Sequence, residues 1–327
     1  MGKPNIQRKI QNTMGNIVEH VFKKSYPCIV DGCTQTAINS HLLMVNGILN
    51  NAAEDGHLIE MSIPSPYSSA FMDFKSNRFK RLGIKQAFSL PIFCDQHDTA
   101  LFSEIEQKEA DYSNYKHLAI YTYRTICAEI RKKEQAHEIN DRIIASKTLH
   151  ELMPEDSFTG FKDSNVGLDK ALTELKQYAQ DLLEDINGNT EHYCFTAIEI
   201  PKMKVYAAGI PNLFSSDEYL RGKVLPIFIF IALPQANSTR IIMGYHKDYS
   251  YPEMGEYIDK WKNASLTGYG TLITGILIHM ETWGMSPSLY DKLKPEKVQE
   301  YTNLFAASLL WSELPPVENL NLFEGVV

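Results

Sequence analysis

Two pairs of residues carry the chemistry that this sequence announces. Cys28-Ile29-Val30-Asp31-Gly32-Cys33 sets two thiols around an Asp-Gly turn, and Cys94-Asp95-Gln96-His97 sets a thiol and an imidazole three residues apart. Thiolate sulfur and imidazole nitrogen suit zinc far better than magnesium or calcium. The turn is needed because both thiols of the first pair must point back at one ion. Two isolated cysteines would mean little, but a second Cys/His pair makes Cys28, Cys33, Cys94 and His97 a candidate four-ligand structural Zn2+ site. Metal-free thiols remain the alternative. His41 lies between the pairs. It is a candidate replacement ligand or a partly buried hydrogen-bonding histidine.

The elements that must position these residues follow from pattern and composition. A chain of 327 residues has the length of roughly two domains. Its net charge of −8 argues against the whole molecule being a nucleic-acid binder. That charge is unevenly spread: residues 1–107 carry ten Lys/Arg and ten Asp/Glu, and all the excess acid lies beyond. Residues 1–24 have helical spacing (Ile6, Ile10, Met14, Ile17, Val21) without the apolar stretch of a signal peptide. No run of about 18 apolar residues occurs, so no membrane partner is expected. Five cysteines in a chain of this length do not form a disulfide framework. Cys127 and Cys194 read as core thiols, and a reducing, cytoplasmic setting is expected.

Three segments emerge. Residues 1–107 hold the ligand cluster, a Pro/Ser-rich loop from Ser62 to Lys75, and a helix after Asp98. Residues 108–188 read as helix almost throughout, with a loop from Phe158 to Asn165 and an Asn187-Gly188 stop. Residues 189–327 begin with strand signals at Tyr193–Ile200, Val205–Phe214, Leu225–Leu233 and Arg240–Tyr245. Helices then follow at Glu253–Trp261, Tyr269–Trp283 and Pro295–Leu310, with Ser286 as a cap before Pro287. The fold class is α+β: an N-terminal zinc module, central helices, and a C-terminal antiparallel sheet with helices.

The order Cys-pair, Ser40-His41, Cys94-x2-His97-Asp98 resembles the zinc-containing HNH nuclease module, a treble-clef fold, over residues 28–107. The resemblance implies that His41 is a general base at the end of the first strand. It places Ser89 where the family keeps a positioning Asn, and Asp98 where the family keeps a last His that helps hold a catalytic Mg2+ or Mn2+. More diffusely, the chain resembles a group of bacterial proteins that share this order together with Asp55-Gly56-His57 and Leu101-Phe102-Ser103-Glu104-Ile105-Glu106.

Other readings stand beside these. Asp98 at a helix start is explained by the helix dipole alone, and His57 after Asp55-Gly56 is a turn residue. Lys75, Arg78, Lys80, Arg81 and Lys85, with Phe74 and Phe79 interleaved, could contact phosphates and stack on bases. They are equally a solvated loop. No Gly-x-Gly-x-x-Gly, Walker-type or Gly-x-Ser-x-Gly motif is present. Two function classes follow. One is a zinc-binding recognition protein with a degenerate HNH-like module and a nucleic-acid or protein partner. The other is a divalent-metal HNH-type endonuclease using His41 and Asp98.

Overall fold

The runs richest in β-branched and aromatic residues form the middle of the molecule. β5 (Tyr193–Pro201), β6 (Val205–Gly209), β7 (Phe228–Pro234) and β8 (Ser238–His246) lie where β propensity places them. They belong to a seven-stranded antiparallel sheet of order β3-β2-β9-β6-β7-β8-β5. Three of its strands come from elsewhere: β2 (His57–Met61), β3 (Phe79–Gly83) and β9 (Trp283–Met285). The sheet therefore joins the first and last segments of the chain. The computed structural model describes residues 3–61, 78–106, 110–188, 190–213, 224, 226–310 and 320–326. The loop expected from Ser62 to Lys75 lies outside them.

Successive side chains of a strand point to opposite faces, and β7 shows the result. Ile229, Ile231 and Leu233 pack into one core, while Phe228, Phe230 and Ala232 pack into another. Every residue of β7 is buried, which is why its sequence is apolar without alternation. The first core lies against α4 (Tyr115–Ile144) and α6 (Thr159–Ile186) and extends into the cysteine-bearing segment. The second lies against α7 (Pro252–Lys262), α8 (Gly268–Leu277) and α10 (Pro295–Leu310). A smaller cluster packs α1 (Lys3–Lys23) on the far half of α4. Short helices α2 (Asn50–Ala52), α5 (Lys147–His150) and α9 (Pro287–Tyr290), together with α3 (Asp95–Glu106), complete the ten α-helices among the described residues. The α+β class follows, and none of the described helices is long and apolar enough to cross a membrane.

Three local expectations are corrected. Phe158–Asn165 is not a loop: α6 starts at Thr159, so Gly160 sits in its first turn, where its propensity cost is tolerated. The helix expected to run to Trp283 ends at Leu277, and Trp283 lies in strand β9. Burial between β2 and β6 decides that, since a three-residue strand has almost no periodic signature. Cys194 is half-buried on β5 rather than enclosed, whereas Cys127 is fully buried as expected. The cap before α9 forms as read: Ser286 Oγ accepts from Leu289 N, with Pro287 in the first turn.

Candidate metal centre

The first ligand pair sits on a backbone knuckle. Cys28 N donates to Gln35 O at 2.9 Å and Ala37 N to Tyr26 O at 2.8 Å, closing its base. Cys33 N donates to Val30 O at 3.1 Å, closing its tip. Gly32 has φ +74°, a conformation that glycine adopts without penalty, and it turns Cys33 back toward Cys28. The second pair is set by a helix start. α3 (Asp95–Glu106) begins directly after Cys94, so Cys94 and His97 lie one turn apart on the same face. Long-range backbone bonds bring the two together: Ile29 N to Ile92 O at 2.9 Å, and Ile38 N to Phe93 O at 2.8 Å. Between them, β1 (Asn39–His41) pairs with β4 (Ser89–Pro91).

The four donor atoms all lie within 4.8 Å of one another. Cys94 Sγ is 3.3 Å and Cys28 Sγ 3.4 Å from His97 Nδ1, and Cys33 Sγ is 3.9 Å from Cys94 Sγ. Metal–sulfur bonds of about 2.3 Å and metal–nitrogen bonds of about 2.0–2.1 Å give tetrahedron edges of roughly 3.5–3.8 Å. The donor set and its spacing therefore fit a tetrahedral ion. Cys28 and Cys94 are buried, and Cys33 and His97 are half-buried, so the centre lies at the edge of the core. The backbone N–H of His97 holds the Cys94 thiol below its usual range, whereas burial pushes the Cys28 thiol up. A Cys3His cluster of this kind can hold a metal such as zinc.

The other residues singled out from sequence are placed differently. His41 ends β1 opposite Ser89, half-buried, with Nε2 3.2 Å from Ile84 O. Ser89 Oγ donates to Gln86 O at 3.2 Å. Asp98 lies in the first turn of α3, and its Oδ1 is 4.0 Å from the Arg124 guanidinium. Among the described residues the Cys3His group stands alone: no second set of three or more donors that includes His41 or Asp98 has metal-holding geometry. His57 Nδ1 lies 2.7 Å from Asp55 O, a turn contact as expected.

Among the described residues the basic stretch does not form one patch. Lys75 and Phe74 lie outside the described residues. Arg78 is buried, at 4 % exposure. Lys80 and Arg81 are exposed but are neighbours on β3, so they project to opposite faces of the sheet. Lys85 is exposed in the following turn. Phe79 is not a stacking residue: it is buried against Trp283, Tyr290 and Tyr301, with ring centroids 5.3, 5.4 and 6.2 Å away.

Sequence reasoning passed over two arginines that support the ligand segments. Arg124 and Arg131 stand seven residues apart on α4, with side chains only 1 % and 3 % exposed. Arg124 Nη2 donates to Glu106 Oε1 on α3 at 2.6 Å, and its guanidinium lies 3.6 Å from the centre of the Phe102 ring. Arg131 Nη2 donates to Pro27 O at 2.6 Å. The signal was available: two cations two helical turns apart, in a stretch that also holds Ile126, Cys127, Ala128 and Ile130, need partners if that stretch is buried.

Comparison of the chain with protein-family models, with curated proteins and with solved structures finds no match.

Proposed function

We propose that Cys28, Cys33, Cys94 and His97 bind one Zn2+ ion, and that the chain is a zinc-stabilised recognition protein. The observation that carries this is the convergence of the four donors within 4.8 Å of one another, three of their separations, 3.3, 3.4 and 3.9 Å, lying close to the edges of a zinc tetrahedron. Four protein ligands leave no open position for substrate, which is the pattern of a structural rather than a catalytic site. The knuckle, the β1–β4 pair and α3 follow one another in the order of a treble-clef module. Such a module, held on a large sheet, presents a rigid surface to a nucleic-acid or protein partner. The cytoplasm suits it, because a reducing compartment keeps zinc-binding thiols free. The expected result is about one zinc per chain by elemental analysis, lost in a Cys28→Ser/Cys33→Ser variant. Zinc-free wild-type protein purified without chelator would end this reading.

A second reading is a divalent-metal HNH-type endonuclease with His41 as general base. The pairing of His41 with Ser89, beside the ligand cluster, favours it, because that is where the nuclease module places its base. Ser89 occupies the position of the positioning Asn, and Asp98 faces Arg124; both weigh against it. Plasmid nicking in Mg2+ or Mn2+ that disappears in His41→Ala would establish the nuclease. Equal silence of wild type and variant supports recognition.

A further inference from the structure

A zinc ion held by three thiolates and a neutral imidazole carries a net charge of −1. Such a centre binds its ion tightly only where both ligand segments are held in place before the ion arrives. Three observations point to Arg131 of α4. Its guanidinium is nearly enclosed, with a side chain 3 % exposed. It donates to the carbonyl of Pro27, the residue before Cys28, at 2.6 Å. It also lies 4.7 Å from the centre of the Tyr26 ring, so it grips the base of the knuckle from two sides. One nearby carboxylate, Glu134 at 2.9 Å, shares it.

We infer that Arg131 is a positioning residue of the zinc centre: it fixes the base of the knuckle through Pro27 O and the Tyr26 ring. The second ligand segment is anchored separately. Arg124 holds α3 through Glu106, so both halves of the site are referenced to one helix. The ion then cross-links two segments that α4 has already aligned. Lost pre-alignment appears as weaker metal binding, because groups that orient ligands typically account for 10–100-fold in affinity.

This inference rests on the zinc reading above, and the experiment separates the two. Full-length wild type, Arg131→Gln and Arg131→Lys are titrated with Zn2+ against a chromophoric chelator. Thermal unfolding is followed with and without the ion. Arg131→Gln ends two bonds short of the Nη2 that reaches Pro27 O, so it withdraws the knuckle's anchor, and it is expected to bind zinc about 10–100-fold more weakly. Arg131→Lys keeps a long cationic donor, one bond shorter than arginine, for Pro27 O and is expected to recover most of that loss. The metal-free proteins should differ less in stability than the zinc-loaded ones. Arg131→Gln binding zinc as tightly as wild type, with equal stability losses in both forms, would make Arg131 a packing group and overturn the inference. So would an Arg131→Lys protein no better than Arg131→Gln. Wild type that binds no zinc would sink the zinc reading instead.

Discussion

Glu60 offers the sharpest test of how the ligand-bearing segment is joined to the sheet. It lies on β2 and faces the first core. Tyr206 Oη donates to its Oε1 at 3.2 Å, and the backbone N–H of Phe88 favours its charged form. Phe88 itself is held at φ +54°, a conformation that a bulky residue rarely adopts. Lys80 pairs with Glu60 across β3 but reaches into solvent. Burial outweighs the two hydrogen bonds and pushes the Glu60 carboxyl up from 4.5 to about 7. The sign follows from proton counting. Between pH 4.5 and about 7 the folded protein keeps a proton that the unfolded chain has released, so stability falls as pH rises through that window and levels off above it. At about 1.36 kcal/mol per pH unit, the span amounts to about 3 kcal/mol, as an upper figure. Glu60→Gln keeps an acceptor for Tyr206 and Phe88 and cannot ionise. Urea unfolding of both proteins from pH 4.5 to 8.5 is the assay. Subtracting the two curves removes the titration of the cysteine cluster, which both share. The variant is expected to match wild type near pH 4.5 and to be more stable by about 2–3 kcal/mol at pH 8. Parallel curves, with no widening gap, would refute the reasoning.

Two further outcomes are expected. A Cβ added at Gly284 would overlap Tyr206 Oη and Ile59 O, the point where β9 crosses between β2 and β6. Gly284→Ala should therefore lower stability by about 1–3 kcal/mol in denaturant titrations. Arg124→Met removes the cation beside Glu106 and Asp98. A loss of about 3 kcal/mol is expected, with less hydrogen-exchange protection in α3, where both carboxylates lie.

Parts of this fold were legible because they are local. Strands β5 to β8 came through because β-branched and aromatic runs between turn residues mark themselves. The cap at Ser286 was legible for the same reason, and so was a helix after Asp98, although it begins three residues earlier, at Asp95, and takes His97 into its first turn. β2 and β9 were not. Trp283–Met285 is too short to show a period, and His57–Met61 carries Glu60 on its buried face; they become strands by pairing with each other and with β3 and β6. Phe79 and Arg78 read as part of a basic nucleic-acid surface because a charge run hides which residues face inward. The packing of Phe79 on Trp283 settles its direction.

What the amino-acid sequence determined alone was the ligand chemistry. Cys28 and Cys33 around Asp31-Gly32, and Cys94 one turn from His97, are soft donors whose local spacing already aims each pair at one point. Tertiary structure decided that the two points coincide, 61 residues apart in the chain, at 3.9 Å between Cys33 and Cys94. It also decided that Arg124 and Arg131 of a different segment hold both halves, and that His41 and Asp98 stand outside the cluster. Donor type and turn geometry are properties of a few adjacent residues. The meeting of distant segments depends on which surfaces bury one another, and no short stretch of sequence contains that information.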